Sequence, residues 1–159
     1  MAARKAKSKK RSSGKSDARP RKFTAYLEAA VGCTEVIEAF GREKIKYKLH
    51  RDYANAHTLD PTWLPLIGKE KWVLLTTDDS MQHRGAEAAA IKAYKVRSFV
   101  FRSHMTGVDM AKFLVKMMPG MRRFCGLHEA PFIGYLQPNG KIKPIMDKNG
   151  LVGRLRDAI

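Results

Sequence analysis

The sequence predicts an α/β fold with a largely parallel sheet. Short apolar runs typical of strands alternate along the chain with segments in which apolar residues recur at helical spacing. The run 72–76 (WVLLT) is apolar enough to be a strand that is buried on both faces. A chain of 159 residues can form one domain with a real core but is too short for two.

These patterns predict five strands, with a helical segment between each consecutive pair. The predicted strands are 23–27, 45–49, 72–76, 97–101 and 131–136. The predicted helices are 31–39, a short helix from Asp60 to Gly68, 83–94, and a helix that begins near Thr106. Residues 23–142 therefore form the predicted domain, and no structure is assigned to the tail 143–159.

Local signals mark several helix ends. Asp60 is a suitable N-cap because Pro61 follows it at the first helical position, and Gly68 is expected to end that helix. Thr106 and Asp109 have the spacing of a capping box. Pro119-Gly120 is expected to interrupt the last helix.

The expected strand order 2-1-3-4 creates a switch point between the first and third strands. Glu28 follows the first of these strands and Asp78 the third. Because ligands of open α/β sheets bind at the carboxyl ends of strands beside such a point, the two carboxylates are expected to face each other across one crevice.

Clustered carboxylates indicate a site for Mg²⁺ or Mn²⁺, which favour oxygen ligands. The candidate metal-binding and catalytic residues are Glu28, Asp60 and Asp78, with Asp79 and Glu87 as secondary candidates. Each acid also has a structural explanation: Asp60 as a helix cap, Asp78 and Asp79 as a polar turn, Glu28 on the surface, and Glu87 as a helix-face partner of Arg84.

The chain carries a formal net charge of +16, and its first 22 residues hold ten Lys and Arg against one Asp. This segment lacks aromatic and branched aliphatic residues, so a disordered basic arm is expected. It is either a phosphate-binding arm or a solubilising tail. The candidate nucleic-acid-binding residues in it are Lys9, Lys10, Arg11, Arg19, Arg21 and Lys22.

The remaining sequence signals indicate a cytoplasmic protein without a secretory signal or a membrane-spanning segment. Cys33 and Cys125 have no metal-ligand or redox spacing, so two reduced, packed thiols are favoured over a disulfide. The five histidines show no metal-ligand spacing, so solvated or capping roles are expected for them.

The central stretch resembles the PIN-like nuclease domains, in particular a VapC-related toxin branch. It runs from Asp60-Pro61-Thr62-Trp63-Leu64-Pro65 through Gly68 to Trp72-Val73-Leu74-Leu75-Thr76-Thr77-Asp78. Weaker likeness extends over residues 23–142, through Glu87, the strand 99–101, Thr106-Gly107 and 131–133. In this likeness Asp60, Asp78 and Glu87 occupy positions where the family keeps acids, and Glu28 stands where the family usually has Asp.

The resemblance implies a three-layer α/β/α sandwich and an Mg²⁺- or Mn²⁺-dependent ribonuclease, often the toxin of a toxin–antitoxin pair. The expected partners are then RNA, with DNA left open, and an antitoxin protein; a homodimer is also left open. The alternative is a non-catalytic nucleic-acid-binding protein on the same fold, with a degenerate acidic site.

Overall fold

The computed structural model describes residues 19–53, 63–78, 85–102 and 104–151, and the elements below lie in these ranges. The strands are β1 (Ala25–Leu27), β2 (Tyr47–Leu49), β3 (Val73–Thr76), β4 (Arg97–Val100), β5 (Phe132–Leu136), β6 (Ile142–Asp147) and β7 (Gly150–Leu151). The helices are α1 (Thr34–Arg42), α2 (Trp63–Glu70), α3 (Gly85–Ala93) and α4 (Gly107–Leu127), with a 3₁₀ turn at His50–Asp52.

The strands form one sheet in the order β2-β1-β3-β4-β5-β6-β7. The pairs from β2 to β5 are all parallel, which confirms the predicted order 2-1-3-4 and its switch point between β1 and β3. The prediction that 131–136 is the last strand is wrong. β6 pairs antiparallel with β5, and β7 pairs antiparallel with β6, so the sheet continues to residue 151.

The sheet is covered on both faces, which confirms the three-layer α/β/α sandwich. Alternate residues of each strand point to opposite faces. Leu27 and Leu75 pack in one core cluster with buried residues of α1 and α4. Tyr26 and Leu74 pack in a second cluster with residues of α2 and α3. Both faces of the central strands are therefore buried, as their apolar sequences indicate.

Helix α2 does not end at Gly68, contrary to the prediction, but runs on to Glu70. Gly68 lies where α2 passes against the end of α3, and a Cβ at this position would overlap the carbonyl oxygen of Tyr94. The glycine therefore permits close packing of two helices rather than terminating one. The predicted cap, Asp60 with Pro61, lies outside the described residues.

Helix α4 begins as predicted but is not interrupted. The Thr106 hydroxyl accepts a hydrogen bond of 3.2 Å from the backbone N–H of Asp109. The helix then continues through Pro119 to Leu127. Proline inside a helix costs about 3 kcal/mol, but Met117, Met118 and other α4 residues on both sides of it are buried. Their burial stabilises the continuous helix more than the proline destabilises it.

Three of the helices end in the same way, with a lysine in the left-handed conformation. The residues are Lys44 after α1, Lys71 after α2 and Lys95 after α3, with φ values of 53°, 56° and 53°. In each case the N–H of the next residue donates to a carbonyl five residues back, as Trp72 does to Ile67 at 3.1 Å. This is the Schellman motif, in which glycine is the usual residue at the left-handed position.

Strand β2 forms one end of the sheet, with β1 as its neighbour. Its Lys48 and the preceding Lys46 are exposed, whereas Tyr47 and Leu49 are half-buried against the core. The predicted alternation of polar and apolar residues in this strand is therefore confirmed, over a shorter span than 45–49.

The structure bears on the predictions of two reduced thiols and of no membrane-spanning segment. Cys33 is half-buried and Cys125 is buried, and both are free thiols. Burial raises the pKa of the Cys125 thiol to about 11, so this thiol stays protonated at neutral pH. Over the ranges given above, no helix combines the length and apolar character needed to cross a membrane.

Candidate metal and nucleic-acid site at the carboxyl edge

Glu28 lies where β1 leaves the sheet. Its N–H donates to the Leu75 carbonyl at 3.1 Å, one step beyond the last pair of β1 with β3. Its own carbonyl accepts from the N–H groups of Val31 and Gly32 at 2.8 and 3.0 Å, which turns the chain towards α1. The carboxylate is half-buried, with Oε2 3.4 Å from the Ala30 N–H. This turn holds Glu28 at the carboxyl edge of the sheet.

Asp78 lies at the same edge, two residues beyond β3. Its N–H donates to the hydroxyl of the buried Thr76 at 3.0 Å, which fixes the backbone as it leaves the strand. Burial raises the pKa of Glu28, and the charge of Asp78 raises it further. Like charges have this effect only when they are close. Glu28 and Asp78 thus follow neighbouring strands at the same edge of the sheet.

The other predicted acids are less close to this pair or cannot be compared with it. Glu87 lies in the first turn of α3 and is half-buried. Asp60 and Asp79 lie outside the described residues. Among the residues that are described, no three His, Cys, Asp or Glu side chains form a group that could hold a metal ion. Glu87 therefore does not complete such a group with Glu28 and Asp78.

A buried hydrogen bond joins Tyr26 of β1 to His50, which directly follows β2, near this edge of the sheet. The Tyr26 hydroxyl lies 2.6 Å from His50 Nδ1. Only 6% of His50 is exposed, so the expectation of a solvated histidine is wrong at this position. Burial lowers the pKa of His50 and raises that of Tyr26, to which the charges of Tyr53 and Glu28 add. Both groups are therefore neutral at pH 7.

Aromatic rings surround this pair. Trp63 and Trp72 stack on Tyr26 with ring centroids 5.7 and 6.0 Å away, and Trp63 also meets His50 edge-on at 5.1 Å. Tyr26 and His50 come from β1 and the turn after β2, whereas Trp63 begins α2. Sequence reasoning missed the pair because Tyr26 and His50 are 24 residues apart and neither belongs to a motif.

A small pocket opens beside Glu28. It encloses about 200 Å³ between the turn after β1 and the end of β2, and Ala29, Gly32, His50 and Arg51 contribute to its walls. Arg51 is exposed there. A carboxylate pair with a neighbouring arginine can hold a cation and attract an anion at the same edge.

The carboxylates of Glu28 and Asp78 suit a hard divalent cation. Mg²⁺ commonly binds proteins through one or two carboxylates and keeps several waters. A cation between them would also offset the repulsion that raises the pKa of Glu28. The donor set therefore fits the predicted Mg²⁺ or Mn²⁺, with Glu28 and Asp78 as the described residues that would hold it.

Three of the six predicted nucleic-acid-binding residues are among those that the structure describes. Arg19, Arg21 and Lys22 are exposed, and Lys9, Lys10 and Arg11 lie outside the described residues. The Arg21 N–H donates to the Arg122 carbonyl at 3.0 Å, which fixes this segment against α4 just before β1. It therefore lies at the amino edge of the sheet, opposite Glu28 and Asp78.

Comparisons with known proteins bear on the central part of the chain. No curated protein and no solved structure matches it significantly. A family model described as "PIN like domain" matches residues 29–103. This range includes Asp60, Asp78 and Glu87 and begins one residue after Glu28. Domains of this kind are generally nucleases, that is, hydrolases, and the match supports the PIN-like family for this chain.

Proposed function

We propose that the protein is a metal-dependent endoribonuclease that cleaves RNA phosphodiester bonds at the carboxyl edge of the sheet. The observation that carries the proposal is the proximity of Glu28 and Asp78, which belong to neighbouring strands at the topological switch point. The match of residues 29–103 to the PIN-like family model supports the same class of chemistry.

Asp60 is included as a third ligand because of its place in the sequence. In the resemblance to the PIN-like domains, Asp60 occupies a position where the family keeps an acid, and this likeness is what supports its role. Glu87 and Asp79 remain secondary candidates.

The roles of the residues follow from their chemistry. A bound divalent cation would supply charge stabilisation for the phosphodiester and activate the attacking water. Glu28 and Asp78 would hold that cation, and they must be ionised to do so. Arg51 would bind a phosphate next to the scissile bond, because it is the exposed cation in the pocket beside Glu28. The basic arm would bind flanking phosphates.

Cleavage of a labelled single-stranded RNA in Mg²⁺ or Mn²⁺ tests the proposal. We expect Asp78→Asn, Asp60→Asn and Glu28→Gln each to lower the cleavage rate by about a hundred-fold or more, since each removes a carboxylate that would hold the metal ion acting on the phosphate. Glu38→Gln is a matched control, because Glu38 is an exposed glutamate on α1. It should cleave at the wild-type rate.

Two results would contradict the proposal that the protein is a metal-dependent nuclease. Equal rates for the wild type and all three acid variants would show that any cleavage comes from elsewhere. Binding of RNA that weakens with salt, without metal-dependent turnover, would instead favour the non-catalytic nucleic-acid-binding protein. In that case deletion of residues 1–22 should abolish binding, whereas in the enzyme it should only weaken binding.

The toxin role is a narrower part of the same proposal, and the central stretch that resembles the VapC-related branch supports it. A toxin of this kind is encoded beside its antitoxin. The neighbouring reading frame should therefore encode a small protein that binds this chain and blocks the cleavage of RNA in the assay above. A neighbouring product that leaves cleavage unaffected would remove the toxin role but not the nuclease.

A further inference from the structure

A second pocket lies at the amino edge of the sheet, opposite the carboxylates. It encloses about 470 Å³ between the segments that lead into β1, β3, β4 and β5. Its wall is strongly basic, with Arg21, Lys69, Lys71, Lys95 and Arg97 as its cations and Tyr94 at its rim. Because the strands are parallel, residues that directly precede them meet at this edge.

Arg97 is the central cation of this pocket. Only 9% of the residue is exposed. One guanidinium nitrogen, Nη2, donates to the Lys71 carbonyl. The other terminal nitrogen, Nη1, is buried and has no hydrogen-bond partner among the described residues. Buried guanidinium groups are normally paired with an anion, because an unpaired buried charge is costly.

Other cations lie around Arg97 in this pocket. Burial lowers the pKa of Arg97, Cys125 raises it, and the charge of Arg21 lowers it. Glu129 is the single acid in the pocket wall as described. It is 81% exposed and lies 3.4 Å from Lys148, with which it forms an ion pair. The pocket therefore has a surplus of cations around a buried, incompletely bonded guanidinium.

Two of the cations occupy positions that glycine would fill with less strain. Lys71 and Lys95 have positive φ, and each ends a helix directly before a strand. A left-handed conformation costs an L-residue about 1–2 kcal/mol. Lysine at both positions places an ammonium group at the pocket at the expense of backbone strain.

We propose that the amino-edge pocket binds a phosphate group, with the Arg97 guanidinium as its buried ligand and Lys71 and Lys95 at its rim. A guanidinium matches the geometry of phosphate oxygens, and the lysines neutralise the remaining charge. The phosphate belongs either to a nucleic-acid backbone or to a free phosphate compound. The inference does not depend on the proposed nuclease, because it concerns the opposite edge of the sheet.

The test uses the full-length protein without divalent cations, so that RNA is not cleaved. One arm measures the melting temperature against inorganic phosphate and pyrophosphate. The other measures the affinity for a labelled single-stranded RNA. We expect Arg97→Met to lower the affinity for whichever ligand binds the pocket by about tenfold or more, since a buried charged hydrogen bond to that ligand is lost. Methionine fills the site, and replacing an unpaired buried charge by an apolar residue favours folding.

A second pair of variants keeps the test valid if Arg97→Met fails to fold. Lys71→Gly and Lys95→Gly remove a cation and the backbone strain together, so we expect weaker phosphate binding, by about threefold each, without a lower melting temperature. Lys44→Gly is the matched control. Lys44 has the same left-handed conformation at the end of α1 but does not contribute to the wall of the pocket. It should leave phosphate binding unchanged.

The outcomes separate the two sources of phosphate. Protection by inorganic phosphate that is lost in Arg97→Met identifies a free phosphate compound. Weaker RNA binding in the pocket variants, with a smaller salt dependence and no effect of inorganic phosphate, identifies a nucleic-acid backbone. Both support the pocket. The proposal is overturned if neither ligand distinguishes Arg97→Met, Lys71→Gly and Lys95→Gly from the wild type.

Discussion

The two edges of the parallel sheet differ in charge. Glu28 and Asp78 follow the neighbouring strands β1 and β3 at the carboxyl edge, where the charge of Asp78 helps to raise the pKa of Glu28. Lys71, Lys95 and Arg97 lie at the starts of strands and meet at the amino edge, around a guanidinium nitrogen without a hydrogen-bond partner among the described residues. Among the described residues, two carboxylates therefore follow neighbouring strands at one edge, and a cluster of cations lies at the other.

This difference shows how a parallel sheet sorts side chains. All strand starts share one edge and all strand ends share the other, so residues far apart in sequence are collected by their position relative to a strand. The carboxyl edge suits a cation, and the amino edge suits an anion. Arg21, at the end of the basic arm, belongs to the amino edge, so phosphates bound there lie on the far side of the sheet from the carboxylates.

The largest expected effect would separate the two edges as functional sites. Asp78→Asn should lower metal-dependent RNA cleavage by about a hundred-fold or more, whereas Arg97→Met should lower phosphate affinity by about tenfold. The cleavage rate and the phosphate affinity are measured for both variants. If each variant lowers both quantities to the same extent, the two edges are not separate sites but one continuous site.

The packing of the amino edge can be broken at Gly68. A Cβ there would overlap the carbonyl oxygen of Tyr94, which is backbone and cannot rotate away. We expect Gly68→Ala to lower the free energy of unfolding by about 2 kcal/mol, measured by urea denaturation.

Gly41→Ala is the matched control for this change. Gly41 lies in α1, and a Cβ there would meet nothing within 4 Å. Alanine has the higher helix propensity, so Gly41→Ala should stabilise the protein by about 0.5–1 kcal/mol. Equal effects of the two substitutions would mean that α2 and α3 do not pack as closely as described.

The support of the carboxyl edge can be tested at Tyr26. Tyr26→Phe removes the hydroxyl that lies 2.6 Å from His50 Nδ1 and leaves this nitrogen without that partner. We expect the free energy of unfolding to fall by about 1–2 kcal/mol at neutral pH. Tyr94→Phe is the control because Tyr94 is 48% exposed. A loss of stability as large in Tyr94→Phe would show that the buried bond is not the cause.

The smallest expected effect is the change of stability with pH that is caused by ionisation of Glu28. Burial and the charge of Asp78 raise the pKa of Glu28 in the folded protein above its ordinary value. The folded state therefore holds this proton to higher pH than the unfolded state, and ionisation of Glu28 destabilises the fold as pH rises through the raised pKa. Without divalent cations, Glu28→Gln should be more stable than the wild type at pH 7, by well under about 1 kcal/mol.

The difference in stability between Glu28→Gln and the wild type should shrink towards pH 4, because Glu28 becomes protonated in both the folded and the unfolded wild type. Melting temperatures of the two proteins between pH 4 and pH 8 measure it. With Mn²⁺ present the order at pH 7 should reverse, because the ionised Glu28 binds the cation and the glutamine does not. A constant difference across this pH range would contradict the raised pKa.

Much of the fold could be predicted because the alternation of strands and helices is regular up to β5. The missed strand β6 contains Pro144, which argues against a strand because proline lacks a donor for the ladder. The strand tolerates it because β7 pairs only with Met146 and Asp147, so Pro144 has β5 as its one described neighbour. A local rule also failed at Pro119, where the burial of α4 prevailed.

The candidate site could be predicted in part. The predicted strand order puts Glu28 and Asp78 after neighbouring strands, because it determines which strand ends are neighbours. Their role as metal ligands stays a prediction. The amino-edge pocket was missed because its lysines resemble ordinary surface charges. A signal was present in the sequence: Lys71 and Lys95 each directly precede an apolar residue next to the start of a strand.

Lys48 in β2 and Lys46 just before it have a consequence for assembly. An unpaired outer strand is a template on which further chains can add, and a sheet extended in this way can grow into a polymer. Here another β2 arriving at that rim would bring its own ammonium groups against Lys46 and Lys48, which are exposed. Electrostatic repulsion therefore protects this rim from runaway strand addition, and any self-association should use a different surface.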